Sequence, residues 1–139
     1  MAYIEQSLAS LARFKGVSFE DFHSNPDNFR IAFYDLHIAS EAVLDIGGHI
    51  LSRIPGTRPS SYKDIPRLLG QHGIVAAEFA SNQLHKMAGY RNRMVHFYSE
   101  IGEREIYGII QEELDNFNAF LSAIAAVLRR PSDYRLTLE

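Results

Sequence analysis

The sequence predicts an all-α fold, an up-and-down bundle of four to five helices in one domain spanning 1–139. Three observations carry that prediction. Apolar residues recur at spacings of three and four along nearly the whole chain, no alternating strand pattern survives inspection, and the turn residues fall between the periodic segments rather than inside them.

The elements follow in order. Ile4 to Phe14 reads as a short amphipathic helix with Ile4, Leu8, Leu11 and Ala12 on one side, ended by Gly16-Val17-Ser18. Ser18, followed by Glu20 and Asp21, marks a further helical turn. Asn25-Pro26-Asp27 starts the longest helix, which runs to Ile54, because proline suits the first turn. Phe29, Phe33, Leu36, Val43, Ile50 and Ile54 form one stripe; Ile31, Ile38, Ala42 and Ile46 form a second. A helix apolar on two sides is packed by several neighbours. Gly47-Gly48 costs helix propensity, up to about 1 kcal/mol each, and implies close approach of another helix.

The run from Pro55 to Ser61 is a loop, and a short helix follows from Tyr62 to Gln71. Ala76 to Tyr98 is helical, with a bend expected near Gly89. The last helix is expected to run unbroken from Glu103 to Arg129, buried through Leu114, Phe117, Leu121, Ile124 and Leu128. From about residue 131 a flexible tail is expected.

The totals narrow the function classes. A chain of 139 residues with 46% apolar content suits one globular domain. The absence of cysteine removes disulfide scaffolds, thiolate zinc sites and cysteine nucleophiles. A net charge of −3 argues against a basic coat, though a local basic patch can sit on an acidic body. The N-terminus lacks a secretion signal, and no apolar run approaches the roughly 18 residues of a membrane span, so a soluble cytoplasmic protein is expected.

One stretch concentrates chemistry that packing does not explain. Between Arg91 and Tyr98 stand two arginines, an amide, an imidazole and a phenol: Arg91, Asn92, Arg93, His96 and Tyr98. Arginine grips phosphate oxygens bidentately and stabilises charge growing in a transition state. Histidine transfers protons near neutral pH. Such a set suits a phosphodiester, and in RNA the 2′-hydroxyl supplies an internal nucleophile. On a regular helix Arg91 and His96 are about 140° apart, at roughly 100° per residue. Either the helix bends there or a second copy of the chain completes the site; a homodimer is favoured.

The stretch resembles the Arg-x4-6-His motif of HEPN domains, and Arg91-x4-His96-x-Tyr98 resembles the form found in HepT-like toxins. The likeness extends to residues 36–47, to Ser61-Tyr62-Lys63-Asp64 with Leu68-Leu69, and to Lys86 through Asn92, covering roughly 28–128. It implies a helical dimer with a composite cleft and metal-independent ribonuclease activity, needing no cofactor, with transfer RNA among its targets. It also implies a cognate nucleotidyltransferase antitoxin of the MNT class that transfers AMP onto Tyr98. Arg91 would then stabilise the scissile phosphate and His96 move protons. Asn92 would orient phosphate or ribose, and Arg93 bind a flanking phosphate. The competing reading is a non-catalytic HEPN module that binds nucleotide or docks the nucleotidyltransferase.

His37, Glu41, Asp45, His49 and Arg53 form a second polar stripe at four-residue spacing. His37 and His49 are about 18 Å apart on a helix, too far for one metal ion. A solvated or salt-bridged face is expected, with Glu41 or Asp45 supporting an arginine of the motif helix. Tyr3, Tyr34, Tyr62, Tyr90 and Tyr107 are expected at core edges.

Overall fold

A computed structural model describes residues 2–96 and 101–134. Among them the chain is helical, with no strand: α1 (Ala2–Ala12), α2 (Phe19–Ser24), α3 (Pro26–Ser52), α4 (Asp64–Gln71), α5 (Ala77–Phe79), a π-turn (Ala80–Leu84), α6 (His85–His96), α7 (Glu103–Glu112), α8 (Asp115–Arg129) and a 3₁₀ turn (Pro131–Tyr134). None of the helices described is long and apolar enough to cross a membrane.

α3 is the axis of the bundle, touching α1, α2, α4, α6, α7 and α8. Its start is set by the Asn25 side chain, which accepts from the Asp27 N–H at 3.0 Å, and by Pro26 in the first turn. Its fully buried line is rich in small residues: Ala32, Ala39, Ser40 and Gly47 alternate with Leu36, Val43, Leu44, Ile50 and Leu51. Small side chains let several helices approach one axis closely. Gly47 shows why: a Cβ there would stand 2.9 Å from both Ile65 and Leu69 of α4. Phe29 and Phe33, expected in the core, are half-buried and stack edge to face with centroids 5.9 Å apart.

Three expectations need correction. α6 is continuous through Gly89, the place of the expected bend, and the irregularity in hydrogen bonding falls earlier, in the π-turn at Ala80–Leu84. Around that turn α4 and the following rod make a tight hairpin, and Gly70 is so close to Ala80 that an added Cβ would lie 2.7 Å from it. The final helix is two helices, broken at Glu113-Leu114, where hydrogen bonds tighten to Asn116 N–H→Glu113 O and Phe117 N–H→Leu114 O, both 3.1 Å. Asp115-Asn116, residues that favour helix starts over interiors, is the signal for that break. The break also re-phases α8, so the buried face is Phe117, Phe120, Ile124 and Val127, while Leu128 is half exposed. Lastly, Tyr3 and Tyr34 are exposed, whereas Tyr90 is buried.

The expected tail begins as the 3₁₀ turn, with Tyr134 packed against the core; residues 135–139 lie outside the described residues. The α1–α2 turn is clamped from α7: Gly16 N–H donates to Gln111 Oε1 at 2.9 Å, and Gln111 Nε2 donates to Phe14 O at 2.8 Å.

Candidate active site

α6 lies against α3, and Arg91 points into that contact. At 6% exposure it is the only charged side chain in the buried set among the described residues. A buried guanidinium needs a counter-charge and filled hydrogen bonds. Glu41 of α3 supplies the charge. Arg91 Nε donates to Glu41 Oε2 at 3.2 Å and Nη2 donates to Glu41 Oε1 at 2.9 Å, a bidentate pair. Nη1 donates to Asn92 Oδ1 at 3.0 Å. Nη1 and Nη2 each keep one N–H beyond these bonds.

One face of the guanidinium is covered by Tyr62, whose ring centroid lies 3.8 Å from Arg91 Cζ. That ring is itself pinned. Tyr62 Oη donates to Asp45 Oδ1 at 2.9 Å and reaches Glu41 Oε1 at 3.5 Å. The two carboxylates on the polar stripe of α3 thus divide the work: Glu41 holds the arginine and Asp45 holds the tyrosine that covers it. His37 Nε2 is 3.3 Å from Glu41 Oε2 but misaligned for a hydrogen bond, and it has no other partner among the described residues.

Titration follows from these contacts. The Arg91 hydrogen bonds hold the Glu41 carboxyl below its ordinary 4.5, outweighing the upward push of burial. Donation to Asp45, helped by burial, raises the Tyr62 hydroxyl above its ordinary 10.0. At neutral pH the cluster therefore contains an ionised Glu41 and a protonated Tyr62.

The other candidates separate. Asn92 is half-buried against Arg91. Arg93 sits about 200° around the helix from Arg91. There it forms a bidentate pair with Glu105 of α7, donating from Nη1 to Oε1 at 2.8 Å and from Nη2 to Oε2. The structure does not bring Arg93 to the Arg91 cluster. His96 is the last residue of α6, and Tyr98 lies outside the described residues. Among the described residues no three His, Asp or Glu side chains gather as a metal ion would require.

Tyr62 is the residue that sequence reasoning missed, having been taken for a core edge. Its place just before Asp64, at the end of the loop facing α3, was the available signal. Its ring and hydroxyl make separable contributions. Tyr62→Phe keeps the ring and should cost about 1 kcal/mol or less for the lost hydrogen bond. Tyr62→Ala uncovers Arg91 and should cost about 1–3 kcal/mol, including lost ring burial. Denaturant unfolding of the two variants measures the difference.

Four findings from comparison with known proteins bear on this arrangement. The family model described as "Ribonuclease HepT-like" matches residues 4–124. The chain is 27% identical over 136 residues to the tRNA nuclease HepT of Aphanizomenon flos-aquae, covering 98% of this chain and 87% of that protein. It is 33% identical over 92 residues to the mRNA nuclease HepT of Shewanella oneidensis, covering 66% and 68%. Its fold is similar to that of the tri-AMPylated Shewanella oneidensis HEPN toxin, solved in complex with an MNT antitoxin. The TM-score is 0.79 at 27% identity, with 90% of this chain and 92% of that one covered.

Proposed function

Because the chain belongs to the HepT-like ribonuclease family, we propose that it is the toxin of a toxin–antitoxin pair and cleaves RNA without a metal ion at a composite site built by two copies. The observation that carries this reading is Arg91: a buried guanidinium fixed on three sides by Glu41, Asn92 and Tyr62, with one N–H on each Nη unspent.

The chemistry needs little from the protein. The 2′-hydroxyl attacks the adjacent phosphorus, the P–O5′ bond breaks, and a 2′,3′-cyclic phosphate and a 5′-hydroxyl remain. Arg91 neutralises the charge that accumulates on the non-bridging oxygens. His96 takes the 2′-hydroxyl proton or returns one to the departing 5′-oxygen. Asn92 orients phosphate or ribose. Arg93, engaged by Glu105, would have to exchange that partner to bind a flanking phosphate.

The unbroken α6 supports the two-copy site. Residues 91 and 96 stand on one regular helix, so positions about 140° apart cannot serve one linkage from the same segment. A twofold partner brings a second motif to the same cleft.

The neighbouring fold's MNT partner and AMPylated state support an MNT-class antitoxin for this chain, with Tyr98 as the residue that receives AMP. An added phosphate would bring negative charge to the motif segment and repel an RNA backbone. Transfer RNA is the first substrate class to test, because the relative aligned along 98% of the chain carries that name.

Expression of the chain alone should arrest growth and cleave cellular RNA in buffer containing a chelator, and His96→Ala should abolish both. Arrest undiminished in the alanine variant would end the catalytic reading. Incubation with the partner nucleotidyltransferase and ATP should add adenylyl groups detectable by mass, and Tyr98→Phe should remove that gain.

A further inference from the structure

A second feature lies beside the Arg91 cluster. α4 and the rod of α5, the π-turn and α6 flank a groove of about 420 Å³. Lys63, Arg67 and Gln71 line one wall at four-residue spacing, so all three face the same way. Ser81 and His85, also four apart, line the other. The floor is Gly70, kept small by its contact with Ala80. No carboxylate lines this groove. The one between α6 and α7, about 450 Å³, shares His85 and sets Glu105, Glu112 and Glu113 against Lys86 and Arg93. In a chain of net charge −3, a cavity walled by lysine, arginine and histidine is a local reversal of sign.

Its position relates it to the reaction. Tyr62, which covers Arg91, immediately precedes Lys63. His85 precedes Arg91 by six residues on one helix, about 9 Å along its axis. The hairpin places the Gly70 end of the groove near its closing loop and Lys63 and His85 at the end away from that loop. From Lys63 to Gln71 the wall is roughly 12 Å long, room for a few successive backbone phosphates. Arg67 meets Asp64 at 3.6 Å, a loose pair on a mostly exposed side chain, which a phosphate can displace.

Resting on the nuclease reading above, we infer that this groove holds the RNA backbone flanking the scissile linkage, with Lys63 and Arg67 as its phosphate contacts and His85 as a hydrogen-bonding group on the opposite wall. The substrate is then read as a charged strand over several nucleotides, which lets an acidic protein hold RNA.

The test compares Lys63→Gln/Arg67→Gln with the parent, both carrying His96→Ala so that RNA is bound and not cut. The probe is a fluorescent single-stranded oligouridylate titrated at several salt concentrations. The double variant should bind roughly tenfold more weakly, and the slope of log Kd against log salt should fall by about 1.4, near 0.7 per phosphate contact. The charge-preserving pair Lys63→Arg/Arg67→Lys should restore both, with unfolding midpoints showing all chains folded. Equal affinity and slope in parent and variant, or no RNA binding by the parent, would overturn the inference. So would loss of affinity for the nucleotidyltransferase partner, or for AMP, with RNA binding intact. Should the His96-bearing chain fail to cleave RNA, the nuclease reading falls while this binding result still stands.

Discussion

Dimers that pair one Arg91→Ala chain with one His96→Ala chain are expected to recover about half of the wild-type cleavage sites, although either variant alone is inactive. Each homodimer lacks a group worth about 10²–10³-fold in rate, the arginine through charge stabilisation and the histidine through proton transfer. In a twofold assembly where Arg91 of one chain works with His96 of the other, the mixed dimer contains one intact pair and one doubly broken pair. Were both groups drawn from a single chain, every site in the mixed dimer would be damaged. Isolation of mixed dimers through two affinity tags, followed by single-turnover cleavage, separates the cases. Recovery below about a tenth of wild type would sink the composite site. Arg91→Lys should not rescue, because an ammonium cannot hold Glu41 bidentately and still offer two parallel N–H groups.

The second large effect is on stability. Glu41→Ala leaves the Arg91 cation buried without its counter-ion. Removing one partner of a fully buried pair costs about 3–5 kcal/mol; with Glu41 itself 29% exposed, about 2–3 kcal/mol is expected. Glu41→Gln keeps most of the shape and loses the charge, so its cost should be smaller and should depend on pH. The folded-state pKa of Glu41 is depressed. Its stabilisation is therefore complete above 4.5, its unfolded value, and disappears as the pH falls through the lower folded value. The stability gap between wild type and Glu41→Gln should be widest near neutral pH and narrow in acid. Denaturant unfolding across that range measures it. A constant gap, or none, would show that the carboxylate charge does not hold Arg91. Cleavage should fall with the charge as well, since a loosened guanidinium no longer presents its outer edge.

The all-α class, the long axial helix and its start at Asn25-Pro26 were legible in the sequence because they rest on local rules of periodicity and capping. The pairing of the α3 polar stripe with the motif helix was anticipated too: four-residue spacing puts Glu41 and Asp45 on one face, and a carboxylate there seeks a cation. Which carboxylate takes Arg91 was not legible. Glu41 and Asp45 are both acidic and one turn apart, and only the packing angle of α6 against α3 decides between them. Tyr62 was misread for a related reason, since its aromatic body suited the core as well as it suited the face of a guanidinium. The break before α8 was hidden by apolar spacing that continues across it, and the π-turn leaves no compositional mark at all.

That π-turn has a consequence for how the molecule tolerates change. One surplus residue in a helical rod rotates everything beyond it by about 100°. The segment before the turn is indexed to α4, with Ala80 seated on Gly70; the segment after it is indexed to α3, with Arg91 delivered to Glu41. A straight rod would have to satisfy both neighbours with one phase. The wide turn supplies the fixed offset between the two phases, so each segment meets its own neighbour. Deleting a single residue from Ala80–Leu84 would remove that offset and force the chain to keep one docking at the expense of the other.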